Sequence, residues 1–297
     1  MNRRKAAQLL AAMLLPYIAA AQTPSVAGDK LQFDVASVKL NKSGDPGTAN
    51  VSMGPGSAFV PTGGFFRAVS YPLYTYLAFA YKILPNQDLL LRSQLPDWVT
   101  TEHFDIEARA AGNPDKDQLR LMMRALLADR FRLAIHSETR EVPVLALVPA
   151  KPGKTGPRIR PHANDPPCIP NPPPDQIDAR FPSLCGGIVI MPHPPVFMNK
   201  YGARNVTMGF IANSFKGMGH LDRPVIDQTG LEGNFDFALE WVPEVNGPGS
   251  AASAAQSEPS GATFLQALSE QLGLKLESRK GSVDVLVLDH VEHPSGN

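Results

Sequence analysis

Three polar residues, His103, Asp105 and Asp227, lie within or next to short apolar stretches that are typical of buried strands. His103 and Asp105 stand on either side of a phenylalanine, and Asp227 follows a valine and an isoleucine. A histidine and two carboxylates can share the roles of general base, general acid and orienting group in hydrolysis. The sequence therefore gives one enzymatic hypothesis, a hydrolase whose residues meet only in the folded chain.

Familiar catalytic motifs are missing from the sequence. It contains no G-x-S-x-G, H-E-x-x-H, P-loop or G-x-G-x-x-G pattern, which argues against the enzyme classes that carry them. Residues 227–230 read Asp-Gln-Thr-Gly, but Gln228 interrupts the Asp-Thr-Gly pattern of aspartic proteases and no second copy follows. A turn ahead of a strand at Asn234 explains the segment better. We therefore expect no catalytic or cofactor-binding residue from motifs and favour a protein that is not an enzyme.

The seven histidines do not form a metal-binding pattern. His290 and His293 are three residues apart, but on an extended segment such side chains point to opposite faces. Neither has a cysteine or a third histidine beside it, so we expect no metal site. Trp98 and Trp241 are expected to cover the edges of the core rather than to bind sugars.

The N-terminus has the layout of a secretory signal peptide. Arg3, Arg4 and Lys5 precede an apolar run that ends in three alanines at 19–21. The run contains a proline and is short for a membrane span. We predict cleavage after Ala21 and an exported protein, periplasmic or secreted, with no membrane span after cleavage.

The charge balance argues against nucleic acid as a partner. The chain has 28 Lys and Arg against 28 Asp and Glu, so it lacks the field of a general nucleic-acid binder. Basic residues are in excess in 116–160 and acidic residues in 220–297. The simplest explanation of this charge distribution is that both segments contribute charged surfaces exposed to solvent. The alternatives are that the two halves dock through these charges, or that the basic half binds an anionic envelope polymer.

The only two cysteines, Cys168 and Cys185, both lie in the predicted mature chain. An oxidising compartment would join them, and we predict a structural disulfide that closes a proline-rich loop. The alternative is a redox-active pair, although nothing in the sequence resembles C-x-x-C.

The distribution of proline divides the mature chain. Fourteen of the 29 prolines lie in residues 149–195, and such a run cannot hold helices or central strands. The predicted organisation is a signal peptide at 1–21, a flexible N-terminus at 22–32, a first unit at 33–148, a linker with the cysteine pair at 149–196, and a second unit at 197–293 with a flexible loop at 243–261.

The two predicted units resemble each other. Residues 123–129 align with 264–270 at an offset of 141, and the apolar pattern that follows each segment continues at the same offset. Upstream, Phe-Asp-Ile at 104–106 matches Phe-Asp-Phe at 235–237. We predict a duplication of α+β units, each a mainly antiparallel sheet with helices on one face.

Local patterns predict where several helices begin and end. Ser70 is expected to cap a helix that begins near residue 72. Thr263 and Gln266 form a possible capping box, and Gly273 should end the helix that they begin.

Each unit is expected to end in a β-hairpin. In the first unit, 131–135 alternate in polarity, 138–141 read as a turn, and 142–148 return as a strand. In the second unit, 274–276 and 283–288 are expected to pair in the same way.

A family resemblance covers nearly the whole predicted mature chain, from Phe33 to about Pro294. It is carried by FDVASVK (33–39), LLADRF (126–131), ETREVPV (138–144), VIDQTGL (225–231) and QLGL (271–274). These motifs resemble uncharacterised exported proteins, classed as a domain of unknown function, that are greatly expanded in Acidobacteria. Some relatives are joined to membrane zinc peptidases of the antibiotic-sensor type, which implies sensing, but this sequence has no such region. The resemblance implies export and supplies no catalytic residue.

Together these features favour a non-enzymatic binding or interaction module of the cell envelope. Its partner would be an envelope protein or a small ligand held in a cleft between the units. The alternatives are a hydrolase built on His103, Asp105 and Asp227, and a purely structural envelope component. Converging polar residues in a cleft would favour the hydrolase, a smooth or singly charged groove would favour binding, and a structural component predicts no pocket.

Overall fold

The structure, a computed structural model, describes residues 31–164, 166–169, 180–191, 198–243 and 261–294. The predicted signal peptide, most of the predicted flexible N-terminus and residues 244–260 of the predicted loop lie outside these ranges. No helix in the described ranges is long and apolar enough to cross a membrane.

The described chain combines helices with strands that pair mostly antiparallel, as an α+β protein does. In chain order the elements are β1 (Val35–Asn41), β2 (Thr48–Ala49), β3 (Phe65–Pro72), α1 (Leu73–Tyr81), α2 (Pro85–Arg92), α3 (Asp97–Thr101), β4 (His103–Arg109), α4 (Lys116–Phe131), β5 (Ala134–Pro149), β6 (Ile159–Pro161), β7 (Ile188–Ile190), β8 (Asn199–Thr207), α5 (Met208–Met218), β9 (Val225–Asp227), β10 (Asn234–Trp241), α6 (Phe264–Ala267) and β11 (Leu274–His290), with a π-helical turn at Leu268–Leu272.

Two four-stranded antiparallel sheets have the same internal order. The first sheet runs β1-β4-β3-β2 and the second runs β6-β10-β8-β7. In each sheet the third strand leads straight into a helix, β3 into α1 and β8 into α5. The α+β class is confirmed, and the common order supports the duplication, which stays a prediction.

Both predicted hairpins are wrong. β5 and β11 each continue without a turn and pair with each other antiparallel, from Leu274 opposite Pro149 to His290 opposite Ala134. The polar residues 138–141 that resemble a turn form the middle of this two-stranded ribbon, where the side chains are mostly exposed. Polar residues suit an exposed strand as well as a turn, and this segment contains neither glycine nor proline, so its polarity alone does not indicate a turn.

The register of the ribbon repeats the offset of the internal similarity. Val144 lies opposite Arg279, and the positions 141 residues away from them, Val285 and Glu138, lie opposite each other. Because the offset exchanges one pair for another, the two strands are related by an approximate two-fold axis. The ribbon is therefore the place where the two similar units meet.

Each strand of the ribbon also completes the hydrophobic core of the other unit. Leu286 of β11 is buried in the first core beside Phe66 and Leu127. Leu145 and Leu147 of β5 are buried in the second core. The described residues from Leu31 onward accordingly form one compact unit, in which the two halves share a sheet and dock along it.

The outer edges of the ribbon are also covered. β9 pairs in parallel with β5 between residues 145 and 147. On β11, the side-chain amide of Gln94 donates to the carbonyl of Leu286 and accepts from the N–H of Leu288, at 3.2 Å each. A glutamine side chain thus makes the pair of bonds that a neighbouring strand would make.

The predicted helix caps are partly confirmed. Thr263 and Gln266 form a capping box, and Gly273 ends the π-helical turn with φ 67°. Ser70 does not cap α1: it lies within β3 at φ 57°, because an irregularity in the pairing of β3 with β4 lies there. The predicted linker contains β6 and β7, both at edges of the second sheet, where proline is tolerated.

Two buried cations at the start of α4 hold the loop 54–58. Lys116 Nζ donates to the carbonyls of Gly56 and Ala58 at 2.7 and 3.0 Å, and Arg120 donates to three carbonyls of residues 54–56. The same loop donates two backbone N–H groups to Gly186 O of the second half. The cations therefore fix a second contact between the halves.

The shared ribbon predicts that both halves unfold together. Leu127→Ala in the first core and Leu147→Ala in the second should each reduce the free energy of unfolding by about 2–5 kcal/mol. Each should also lower the urea midpoint of a single transition that both halves share. Trp98 packs on the first core and Trp241 in the second, so Trp98→Phe and Trp241→Phe each leave one reporter. Urea unfolding followed by fluorescence should give coincident curves from both, and separated midpoints would contradict a shared fold.

Burial and the nearby guanidinium of Arg120 lower the pKa of Lys116 to about 8, from 10.5. Below pH 8 the folded and unfolded chains both keep this proton. Between pH 8 and about 10.5 the unfolded chain binds more protons, so this group makes the free energy of unfolding rise with pH. The stability of the wild type relative to Lys116→Met should therefore increase between pH 7 and 9.5 in urea titrations, and a constant or falling difference would refute it.

Candidate functional site

Asp105 on β4 holds the bulge at which β3 turns into α1. Its Oδ1 accepts from the backbone N–H of Ser70 at 2.9 Å and from Asn41 Nδ2 at 2.7 Å. Ser70 has a positive φ, so its N–H points away from the regular ladder. The carboxylate supplies the acceptor that this N–H would otherwise lack.

His103 stands close to Ser70, but the three residues do not form a catalytic triad. Ser70 Oγ donates its one hydrogen to the carbonyl of Asp45 at 2.6 Å. His103 Nδ1, 3.3 Å from the same oxygen, must therefore donate to it and cannot accept its proton. Ser70 is 1% exposed, and Asp105 bonds its backbone rather than orienting the imidazole. General-base activation of a serine requires the opposite arrangement.

A second network in the other unit is centred on Asp236 of β10. This carboxylate is fully buried. Its Oδ1 accepts from His162 Nδ1 at 2.6 Å and from the N–H of Asn205 at 3.2 Å. Its Oδ2 faces Arg160 at 3.3 Å and Arg204 Nε at 3.5 Å. Buried acids require such partners because desolvation of an unpaired carboxylate is costly.

The two networks occupy corresponding positions. Asn205, like Ser70, has a positive φ and stands three residues before a helix. Asn234 Nδ2 donates to Asn205 Oδ1 at 2.7 Å, where the first network has His103 beside Ser70. The second sheet thus has an aspartate and a bulge at the matching positions, with Asn205 and Asn234 where the first sheet has Ser70 and His103. The feature common to both sheets is an aspartate that accepts the backbone N–H of the residue at the bulge.

Asp227 lies apart from both networks. It ends β9, and its Oδ1 accepts from the N–H and the hydroxyl of Thr229 at 2.9 and 2.7 Å. This is the turn expected ahead of the strand at Asn234. No hydrogen bond in the described part of the chain joins Asp227 to His103 or Asp105. The structure therefore brings His103 and Asp105 together and leaves Asp227 elsewhere.

Asp227 instead lines a cleft of about 270 Å³ between the two units. Its walls come from the start of α2, from α5 and β9, and from the middle of β11. The polar residues among those lining it are Asn86, Gln87, Asn213, Asp227, Ser282 and Asp284.

Asn86 fixes the separation of the two walls. Its side chain bonds both the N–H and the carbonyl of Val225, at 3.0 and 2.8 Å, and its backbone N–H donates to Asn213 Oδ1 at 3.1 Å. Asn86 belongs to the first unit, and its partners belong to the second. The cleft is therefore pre-formed.

The remaining sequence candidates have separate surroundings. His290 pairs with Glu292, whereas His293 contacts Glu102 and stacks on Trp98 at 4.0 Å between ring centroids. Trp241 is 2% exposed and packs in the second core, and Trp98 is half-buried against the first. Trp98 thus covers an edge of the first core as expected, whereas Trp241 lies inside the second core rather than at its edge.

The disulfide between Cys168 and Cys185 is confirmed. It lies beside a cavity of about 240 Å³ that Asn205 and residues of the loop 57–59 also line. Sequence reasoning missed the neighbouring polar residues His162 and Asp236. The signal in the sequence that points to Asp236 is the repeated Phe-Asp pair at 104–105 and 235–236.

The two aspartates should differ in what they contribute to stability. Asp236→Asn removes the charge that compensates the buried guanidinium of Arg204, and we expect it to cost about 3–5 kcal/mol. Asp105→Asn keeps an oxygen that can accept from Ser70 and Asn41, so the expected loss is about 1 kcal/mol. Urea unfolding of both variants measures the difference. Equal losses would show that the charge at 236 is not the important property.

Comparison with known proteins gives one match. No curated protein and no solved structure matches the chain. The model of one protein family matches residues 74–291, which run from the second residue of α1 to just beyond the end of β11. The chain belongs to the family described as "Protein of unknown function (DUF3738)".

Proposed function

We propose that the protein is an exported, non-enzymatic binding module of the cell envelope, with its ligand site in the cleft between the units. The signal-peptide pattern and the disulfide support export, because disulfides persist in oxidising compartments. The observation that carries the binding proposal is the cleft itself, which is lined from both units and from the shared ribbon.

A pre-formed cleft favours binding because little has to be ordered when a ligand enters. The bonds of Asn86 to Val225 and Asn213 join the walls directly. Gln87 Nε2 donates to the carbonyl of Asp284 at 3.1 Å, which attaches the same helix to the ribbon. Three elements around the cleft are thus linked by hydrogen bonds that do not need the ligand.

The charges of the cleft indicate the class of ligand. Asp227 and Asp284 are exposed carboxylates, and no Lys, Arg or His is among the described residues that line it. Each uses its Oδ1 within the protein, for Thr229 and Thr139, and its Oδ2 can accept from a ligand. A small polar molecule with a protonated amine and hydroxyl groups fits this lining.

The hydrolase alternative has less support. His103 and Asp105 belong to the network that holds a strand bulge, and Asp227 lies in a different sheet. A purely structural component would need no pocket between the units.

The proposal can be tested by thermal shift on residues 22–297 with glucosamine, and with glucose as the uncharged match. A ligand at 100 times its dissociation constant adds about 2.7 kcal/mol to stability. We expect glucosamine to raise the melting temperature at pH 7, glucose to leave it unchanged, and Asp227→Asn to reduce the shift at least by half.

Glu232→Gln is the matched control, because it removes one exposed acidic charge outside the cleft and should leave the shift intact. Amino-sugar peptidoglycan fragments extend the panel to larger amines. Loss of the shift in both variants would indicate a general charge effect. If no amine raises the melting temperature, or if glucose raises it as much as glucosamine does, the proposed ligand class is wrong.

A further inference from the structure

Three potential metal ligands meet beside the disulfide. One ring nitrogen of His162 and the sulfur atoms of Cys168 and Cys185 all lie within 4.8 Å of one another, and all three residues are half-buried. Imidazole nitrogen and cysteine thiolate are the ligands that Zn²⁺ prefers. In the structure the sulfur atoms are joined, so their capacity to bind a metal depends on the oxidation state.

The orientation of His162 suits a metal ligand. A carboxylate can only accept, so Nδ1 carries the hydrogen that bonds Asp236 Oδ1 at 2.6 Å. The lone pair of the neutral ring is then on Nε2. Zinc-bound histidines typically have such a carboxylate on the other nitrogen, where it fixes the tautomer and the orientation of the ring. Asp236 is buried and held by Arg160, so this support is rigid.

The segments that carry the cysteines are fixed by bonds other than the disulfide. Arg204 donates to the carbonyls of Ala163 and Pro166, and its own carbonyl accepts from the N–H of Gly186. The N–H of Ile169 donates to Ser183 O at 3.0 Å and joins the two segments again. Both cysteines therefore stay near His162 when the sulfur atoms separate.

We propose that reduction of the Cys168–Cys185 disulfide creates a Zn²⁺ site whose ligands are His162 Nε2 and the two thiolates. Tetrahedral coordination with Zn–S bonds of about 2.3 Å needs the sulfur atoms about 3.8 Å apart, which rotation of the freed side chains supplies. The adjacent cavity of about 240 Å³ leaves room for water as fourth ligand. Such a site, with three protein ligands and one open position, has the composition of a reactive rather than a closed structural zinc centre.

The redox step balances with a dithiol as reductant, for example a reduced C-x-x-C protein. The dithiol gives two electrons and two protons to the disulfide and itself becomes a disulfide. The two new thiols then lose both protons as they bind Zn²⁺. Under oxidising conditions the disulfide would thus prevent zinc binding. Zinc would bind only when a dithiol had reduced the two cysteines.

The test uses metal-free residues 22–297, reduced without oxygen and freed of reductant. Titration with Co²⁺, a spectroscopic substitute for Zn²⁺, should give a thiolate-to-cobalt charge-transfer band that saturates at one equivalent and disappears when Zn²⁺ is added. The oxidised protein should give no band. His162→Asn should weaken Zn²⁺ binding at least tenfold, whereas His220→Asn, which changes a histidine outside the group, should not.

A second measurement keeps the proposal testable if His162→Asn fails to fold. X-ray absorption of the zinc-bound wild type should show one nitrogen and two sulfur ligands. No charge-transfer band with the folded, reduced protein would overturn the proposal. So would equal Zn²⁺ affinities for the two histidine variants, or a spectrum with sulfur ligands and no imidazole. Because none of these residues lines the cleft between the units, failure of the ligand proposal would leave this result unaffected.

Discussion

Antiparallel pairing between β5 and β11 is the interaction on which the rest of the structure depends. The two strands pair over their whole lengths, and each places apolar side chains in the core of the opposite unit. Neither core is complete without the other half of the chain. The cleft between the units exists for the same reason, since the ribbon forms one of its walls and fixes the distance between the other two.

A second constraint is the buried or half-buried aspartate on the second strand in the order of each four-stranded sheet, Asp105 on β4 and Asp236 on β10. Asp105 and Asp236 each accept the N–H of a residue with positive φ, and each thereby positions the helix that follows. In the first unit the surrounding side chains have the composition of a hydrolytic site without its proton relay. In the second unit the aspartate also orients His162 toward the cysteines. The same bond from an aspartate to a bulge N–H is thus surrounded by different side chains in the two sheets.

Local features were predictable from the sequence, whereas long-range pairing was not. The capping box of Thr263, the helix end at Gly273 and the disulfide depend on nearby residues or on redox chemistry, and all three are confirmed. The pairing of β5 with β11 joins residues more than a hundred positions apart, and a polar stretch in mid-strand resembles a turn. His162 stands six residues before Cys168 in the sequence, but its position beside both sulfur atoms depends on Arg204 and Asp236, which lie far from it along the chain.

The exchange of strands between the cores has a consequence for biosynthesis. A ribosome produces the chain from the N-terminus, and the first core lacks Leu286 until nearly all of the sequence has emerged. Up to that point the first unit exposes part of its apolar surface, and its folding waits for a contact of very high sequence separation. The first core can therefore be completed only after β11 has been synthesised.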